Sequence, residues 1–330
     1  MYAEFYKLAT RPFQLTPDAR FFFESSVHRQ AMAYLVYGLH HAEGFIIITG
    51  EVGAGKTILV DNLLATISPE SFVAAKIVTS QLGGDDLLHL VAAGFGIAKE
   101  GLNKGSLLQR ISDFVLAQHR AGRRALLIVD EAQNLSFEAL EELRMLSNIV
   151  VDKTMALQSF LLGQPQFRTT LGSPELEQLR QRVTAAYHLG PLNEAETRAY
   201  IEHRLRRAEW KGDPHFTEAA FPLIYQRTEG VPRRINTLCS RLLLHGFLEQ
   251  LHTLTASAVE KVANDLREEI AVVSTPQAPA EARSEPTNAS HGLLLVIERL
   301  AHLEKSVEKH ERLIRRAIEI AAHYFQGERT

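Results

Sequence analysis

One octapeptide near the N-terminus has the residue types that proteins use to bind phosphate groups. It reads GEVGAGKT from Gly50 to Thr57 and follows an apolar run, Phe45 to Thr49, typical of a buried strand. Glycines let the backbone N–H groups of such a loop surround an anion at a helix start, while the lysine reaches the outer phosphates and the threonine binds magnesium. The pattern therefore predicts a site for ATP and Mg²⁺. The expected nucleotide contacts are Gly50, Glu51, Val52, Gly53, Ala54, Gly55, Lys56, Thr57 and Ile58.

Two adjacent carboxylates end a second apolar run, Leu126 to Val129. Side chains alternate along a strand and diverge where it ends, so Asp130 is expected to face the magnesium ion with Thr57. Glu131 is then expected to orient or deprotonate the attacking water. In the alternative, the two acids only cap the following turn, but the phosphate loop lies upstream at the spacing of one domain. The acid pair therefore indicates hydrolysis as well as binding.

Phosphoryl transfer also needs positive charge beyond magnesium, and two arginine pairs are candidates. Arg180 and Arg182 enter the last predicted strand, whereas Arg233 and Arg234 open a helix of the second domain. An arginine from a neighbouring subunit can raise hydrolysis rates ~10³- to 10⁵-fold, yet each of these residues is equally explained as a solvated surface cation. Gln164 follows another predicted strand, and we favour it as a γ-phosphate sensor over a simple turn.

Five short runs of β-branched and apolar residues alternate with helical patterns. This alternation predicts an α/β fold, a doubly wound and mostly parallel five-stranded sheet with helices on both faces. After Pro191 the strand signal stops, and Asn193 with Glu196 forms a capping box that begins a small helical domain. The predicted strands are Phe45–Thr49, Phe72–Val78, Ala125–Val129, Leu157–Leu162 and Val183–Leu189, and the later helices lie near Thr217–Thr228, Arg233–Gln250 and Thr255–Glu269.

Both ends of the chain differ from this pattern. Residues 1–43 form an aromatic-rich arm and a helix, which we expect to pack on the sheet domain, with base stacking by the aromatic rings as the alternative. Residues 271–290 are rich in Pro, Ala, Ser and Glu, which is typical of a mobile linker. From Leu293 to Ala321 apolar residues repeat every seven positions, so residues 291–326 are expected to form an amphipathic or coiled-coil helix.

Composition limits the partners and the location. The formal net charge is −3, so we expect no global attraction to nucleic acid, although local basic patches stay open. A single cysteine, Cys239, excludes an intramolecular disulfide and fits a reducing compartment. No apolar stretch approaches the ~20 residues of a membrane span, and no signal-peptide core is visible. We expect a cytoplasmic protein that reaches the inner membrane, if at all, through a partner.

Eight ordered blocks between Met1 and about Leu266 resemble the general secretion pathway protein A family of AAA+ ATPases. Within that family the chain most resembles the ATPase associated with exosortase (PEP-CTERM) and exopolysaccharide loci of Gram-negative bacteria. The blocks are MYAEFYKLATRPFQLTPDARFFF, the helix around HRQA, GFIIITGEVGAGKT, LLIVDEAQNL, SFLLGQPQFR, LRQRV, YHLGPLNEAETRAYIEHRL and GVPRRINTL.

The resemblance implies an AAA+ P-loop ATPase domain over residues 44–190 and a helical lid over residues 191–270. It also implies a role for each candidate residue in ATP hydrolysis. Glutamine departs from the asparagine or threonine that is common at the sensor 1 position. The implied roles are Walker A for Lys56 and Thr57, Walker B for Asp130 and Glu131, sensor 1 for Gln164, arginine finger for Arg182 and sensor 2 for Arg233.

Three functions stay open at this point. The leading one is an ATPase that assembles with copies of itself in an ATP-dependent manner and acts on an envelope secretion or exopolysaccharide-export system. A second is a DNA-binding regulator of transposition, because transposition AAA+ proteins share the N-terminal and DEAQ motifs. A third is a nucleotide-gated scaffold with little hydrolysis. The net charge disfavours DNA, but local basic patches are available at Arg120, Arg123, Arg124, Arg204, Arg206 and Arg207.

Overall fold

The computed structural model describes residues 1–16, 18–41, 44–79, 83–97, 101, 103–151 and 154–273, which all belong to one unit of the chain. The strands are β1 Phe45–Gly50, β2 Phe72–Val78, β3 Arg124–Asp130, β4 Val150–Val151, β5 Thr154–Met155, β6 Leu157–Gly163, β7 Val183–Leu189, β8 His215–Phe216 and β9 Thr253–Leu254. The helices are α1 Tyr2–Phe5, α2 Ser26–His41, α3 Lys56–Thr66, α4 Gly84–Gly94, α5 Lys104–Arg120, α6 Phe137–Leu146, α7 Gln166–Leu171, α8 Glu177–Arg180, α9 Glu194–Arg207, α10 Ala220–Thr228, α11 Pro232–Leu248 and α12 Ala256–Val273.

The five long strands form one sheet in the order β2-β3-β6-β1-β7, and every neighbouring pair is parallel. The predicted α/β fold with a parallel five-stranded sheet is therefore confirmed. Each predicted strand lies within one residue of its observed bounds, because continuous apolar runs identify strands that are buried on both faces.

Alternate side chains of the sheet enter two different cores. In β1, Phe45 and Ile47 pack in a cluster with α4, α5 and α6, whereas Ile46 and Ile48 pack with α2 and α3 on the opposite face. Every residue of β1 is buried. Because all five strands are parallel, their carboxyl ends lie along one edge of the sheet.

Helices dominate the chain after β7. Asn193 Oδ1 accepts a hydrogen bond from the Glu196 N–H at 2.8 Å, and Glu196 Oε2 accepts one from the Asn193 N–H, which forms the predicted capping box. The two-residue strands β8 and β9 pair in this region and were not predicted, because two residues give no periodic signal. Helix α12 continues to Val273, three residues into the predicted linker. The rest of that linker and the heptad segment lie outside the described residues.

The aromatic arm departs from the prediction in its first part, whereas Phe22, near its end, packs on the core between the sheet, α2 and α3 as predicted. Tyr6 and Phe13 are buried in the core formed by α9, α10, α11 and α12, not against the sheet. The Tyr6 hydroxyl donates to the Leu251 carbonyl at 2.9 Å, which fixes the arm to the helical region. The adjoining helix α2 does pack on the sheet, beside β1 and β7. The error arose because an aromatic run identifies a buried segment but not the surface that buries it.

Candidate functional site

The loop between β1 and α3 contains two glycines that no other residue type can replace without strain. Gly53 has φ +83° and Gly55 has φ +102°, both in the left-handed region that favours glycine. A Cβ atom on Gly53 would lie 2.1 Å from Arg233 Cβ, and one on Gly55 would lie 2.6 Å from His28 Nε2. The loop is therefore packed between the start of α11 and the helix α2.

Lys56 and Thr57 begin α3 directly after these glycines. Lys56 is buried, and its Nζ donates to the carbonyl oxygens of Gly50 at 2.7 Å and Glu51 at 3.1 Å. Burial lowers the pKa of Lys56, while the nearby carboxylates, Glu131 first among them, oppose that shift. A desolvated lysine at a helix N-terminus suits an anionic ligand, since the negative charge of a phosphate would replace the stabilisation by water that burial removes from the ammonium group.

Thr57 and Asp130, the two predicted ligands of the metal ion, lie in contact with each other. Thr57 Oγ1 donates to Asp130 Oδ2 at 2.8 Å, and the other carboxylate oxygen, Oδ1, accepts from the Glu131 N–H at 2.9 Å. A hydroxyl and a carboxylate oxygen at this separation are the hard oxygen ligands that Mg²⁺ prefers. The donor set therefore fits a magnesium ion.

Glu131 has a left-handed backbone with φ 57° at the end of β3. Its Oε2 accepts hydrogen bonds from Gln133 Nε2 at 2.6 Å and Gln164 Nε2 at 3.1 Å. Burial raises the pKa of Glu131, but the two glutamine hydrogen bonds and the charge of Lys56 outweigh it and bring the pKa below its ordinary value. The side chain is therefore an ionised carboxylate at neutral pH.

A cavity of about 220 Å³ joins these groups to the helical region. Most of the predicted nucleotide contacts line it, together with Glu131. Gly50 and Glu51 instead offer carbonyl oxygens to Lys56, and Ala54 is buried behind the loop. Gln164 reaches the site through Glu131. The predicted contacts that line the cavity are Val52, Gly53, Gly55, Lys56, Thr57, Ile58 and Arg233.

Aromatic residues of the N-terminal arm also line this cavity. They are Phe21, Phe22 and Phe23, which lie there with Tyr200 and Arg204. Arg204 is buried, and its Nε donates to the Pro12 carbonyl at 2.5 Å while its guanidinium lies over the Phe21 ring at 4.8 Å. This contact was not predicted, since it joins residues 192 positions apart. Phe22 and Phe23 are half-buried, so their rings are the ones with exposed surface to stack on a base.

The three arginines with predicted roles occupy different places. The Arg233 N–H donates to the Gly53 carbonyl at 3.2 Å, and its side chain lines the cavity. Arg182 lies at the amino end of β7, where its carbonyl accepts from the Phe45 N–H at 2.8 Å. The length of β1 separates it from the phosphate loop of its own chain, ~17 Å at the rise of a strand. Arg180 donates to the carbonyls of Leu171 and Ser173.

His28 is a buried residue beneath the loop, and the sequence patterns assigned it no role. Its Nε2 lies 3.2 Å from the Ala54 carbonyl, and its Nδ1 lies 2.7 Å from Ser25 Oγ. A carbonyl only accepts, so Nε2 carries the proton and Nδ1 accepts from the serine hydroxyl of a neutral ring. Burial lowers the pKa of His28, opposed by the Ala54 hydrogen bond and by Glu196.

This geometry predicts that the free energy of unfolding falls when the pH drops below the ordinary histidine pKa of ~6.5. The folded chain keeps His28 neutral while the unfolded chain binds a proton, so stability is present above that pH and is lost below it. His28→Gln should flatten the dependence in urea denaturation between pH 5.5 and 7.5. The control is His40→Gln, an exposed residue of α2 that should leave the slope as in wild type. Equal slopes for wild type and His28→Gln would contradict the assignment.

In the described part of the chain no helix has both the length and the apolar character needed to cross a membrane. The same part contains no cluster of three or more histidine, cysteine, aspartate and glutamate side chains arranged to hold a metal. Cys239 is fully buried, and burial raises its pKa strongly.

Comparisons with known proteins agree with this geometry. Residues 39–171 match the family model described as AAA domain. General secretion pathway protein A of Aeromonas hydrophila is 36% identical over 269 residues, which cover 81% of this chain and 48% of that protein. The Mu-like prophage FluMu DNA transposition protein B of Haemophilus influenzae is 27% identical over 190 residues, covering 56% of this chain and 62% of that protein. The chain thus spans less than two thirds of the length of either relative.

Solved structures extend the likeness to the fold. The ORC2 protein of Aeropyrum pernix, solved as ADPNP and ADP complexes, superimposes with a TM-score of 0.59 at 16% identity, covering 81% of this chain and 74% of that protein. A sequence identity of 16% shows a shared fold and nothing about function. The chain therefore contains an AAA domain and has the parallel α/β fold of AAA+ P-loop proteins.

Proposed function

We propose that this chain is a Mg²⁺-dependent ATPase of the general secretion pathway protein A type. The observation that carries the proposal is the contact between Thr57 Oγ1 and Asp130 Oδ2, beside an ionised Glu131 that lines the same cavity. Two segments 73 positions apart meet there with the oxygen ligands and the carboxylate that phosphoryl transfer needs. The match to the Aeromonas hydrophila protein supports the choice of family.

Each residue has one task in this proposal. The loop from Gly50 to Gly55 presents N–H groups, and Lys56 presents its ammonium group, to the phosphate chain. Thr57 and Asp130 would hold Mg²⁺, which when bound neutralises charge on the phosphate oxygens. Glu131 accepts the proton of the attacking water. Arg233 approaches the nucleotide from α11 as sensor 2, and Gln164 acts as sensor 1 through its contact with Glu131.

The test of this activity is phosphate release by the purified chain. Release should depend on ATP and on Mg²⁺, and EDTA should abolish it, because Thr57 and Asp130 offer oxygen ligands for the metal. Turnover that is absent with and without added Mg²⁺ would contradict the proposal.

We further propose that hydrolysis drives a secretion system of the bacterial envelope, with the chain working at the cytoplasmic side as a homo-oligomer. The similarity to general secretion pathway protein A of Aeromonas hydrophila supports the link to secretion. The narrower assignment to exosortase-linked exopolysaccharide export rests on the sequence resemblance alone. A Lys56→Ala allele at normal protein level should disturb export or surface sorting, and unchanged export would contradict this role.

DNA transposition is a second candidate, favoured by the match to the FluMu transposition protein B. Several arginines of the basic patches expected to bind DNA instead make contacts within the chain. Arg204 is buried under the arm, Arg206 pairs with Glu202 at 2.6 Å, and Arg124 donates to the Leu39 carbonyl. ATPase activity that rises with added DNA in low salt, and loses this response steeply as salt increases, would favour the second candidate over the first.

A further inference from the structure

Gln133 lies two residues after Glu131 and has no task in the mechanism above. Its Nε2 donates to Glu131 Oε2 at 2.6 Å. Gln164 Nε2 donates to the same oxygen at 3.1 Å. Since both hydrogen bonds fall on Oε2, they leave Oε1 to accept a proton. The carboxylate is therefore held in one orientation by two neutral amides.

The orientation of both amides follows from their other contacts. The backbone N–H of Gln164 donates to Gln133 Oε1 at 2.9 Å, so Gln133 must present its NH₂ group to Glu131. Gln166 Nε2 donates to Gln164 Oε1 at 2.9 Å, which turns the NH₂ group of Gln164 toward Glu131 as well. A carboxylate only accepts, so no flipped amide satisfies this network.

Hydrogen bonds also fix the backbone of Glu131. Its left-handed conformation, φ 57°, costs a non-glycine residue ~1–3 kcal/mol and persists only where the surroundings impose it. Thr79 Oγ1, at the end of β2, lies 2.7 Å from the Glu131 carbonyl and 3.0 Å from the Asp130 carbonyl. Asn134 Nδ2 donates to the Thr79 carbonyl at 3.1 Å. A strained backbone that is held by several hydrogen bonds at the candidate general base indicates that hydrolysis requires this position of Glu131.

We propose that Gln133 is a positioning residue for hydrolysis, holding the Glu131 carboxylate so that Oε1 takes the proton of the attacking water. This inference rests on the proposed ATPase function. Gln133 is half-buried and does not line the nucleotide cavity in the described chain. Its contacts run to Glu131 and to the end of β6. Loss of its amide should therefore affect turnover and leave nucleotide affinity unchanged.

The test compares Gln133→Met, which keeps the length of the side chain but removes the donor, with Gln133→Asn, which keeps an amide but shortens its reach to Glu131. In both variants kcat should fall ~10- to 100-fold, the loss expected when a reacting group is misplaced by about 1 Å. The Kd for Mg-ATP, measured by calorimetry, should stay within about twofold, and this binding also reports an intact fold. The matched control is Gln109→Met on α5, where an exposed glutamine donates to Asp113 at 2.9 Å and kcat should not change.

A double-variant cycle separates positioning from general damage. In a Glu131→Gln background Gln133→Met should cause no further fall in the residual rate, because the group it positions is already inactive. Unchanged or increased kcat in both single variants would overturn the inference, as would an equal fall in the Glu131→Gln background. A wild-type chain without Mg²⁺-dependent hydrolysis would instead overturn the proposed function, and this inference with it.

Discussion

Glu131→Gln is expected to lower kcat ~10²- to 10⁴-fold, the usual contribution of a general base, while Mg-ATP stays bound. The amide has the size of the carboxylate but cannot take a proton from water. The hydrogen bond from Lys56 to the Gly50 carbonyl and the one from Thr57 to Asp130 do not involve the Glu131 side chain. The measurement is steady-state phosphate release beside calorimetric affinity for Mg-ATP.

The variant also serves to identify partners. A chain that holds ATP without consuming it should retain the complex that forms in the ATP state, so affinity capture with Glu131→Gln should recover secretion components with the chain itself. The exposed Glu138→Gln on α6 is the control, with wild-type turnover expected. Equal and near-zero rates for wild type and Glu131→Gln would contradict the hydrolytic account and favour the nucleotide-gated scaffold.

Arg182→Ala is expected to lower kcat ~10³-fold or more if Arg182 serves as the finger of a neighbouring copy. Arg182 Nη1 donates to Ser147 Oγ at 2.7 Å and to the Arg144 carbonyl at 3.4 Å. A guanidinium has five donor hydrogens, so these contacts hold the side chain and leave other donors for a phosphate oxygen. Because the length of β1 separates Arg182 from its own phosphate loop, it can act only on a second copy.

Mixing variants tests that statement. Arg182→Ala and Glu131→Gln should each be inactive alone, but mixed oligomers pair an intact Glu131 site with an intact Arg182 and should regain turnover. Arg180→Ala is the matched control, because Arg180 is a neighbouring arginine whose guanidinium also makes two hydrogen bonds through Nη1, to the Leu171 and Ser173 carbonyls. Loss of activity in the mixture as well, or a finger effect for Arg180 instead, would contradict the assignment of Arg182.

The sheet and the phosphate loop could be predicted because their signals are local. Continuous apolar runs identify β1, β3 and β6 as strands covered on both faces, and the loop glycines carry their own conformational requirement at Gly53 and Gly55. The acid pair Asp130 and Glu131 follows directly from its place at the end of a strand. Each of these predictions needs only neighbours in sequence.

Contacts between distant segments could not be predicted in this way. His28 touches the loop 26 positions later, and Arg204 binds the arm 192 positions earlier, and no spacing in the sequence links either residue to its partner. Gln133 was visible in the DEAQ motif, but its role depends on Gln164, which β6 brings beside it. The aromatic arm was recognised as buried, while the surface that buries it depends on how α9 and α11 pack.

Calorimetric titration of the purified chain with ATP, in the presence of Mg²⁺ and again in EDTA, tests the central claim most directly. If the phosphate loop and the strand-end carboxylates form one site, ATP should bind at one site per chain, with an affinity that Mg²⁺ increases. Asp130→Asn should lose most of that increase, because it removes the charge of the metal ligand. The absence of any Mg²⁺-dependent binding of ATP to the wild-type chain would contradict the account.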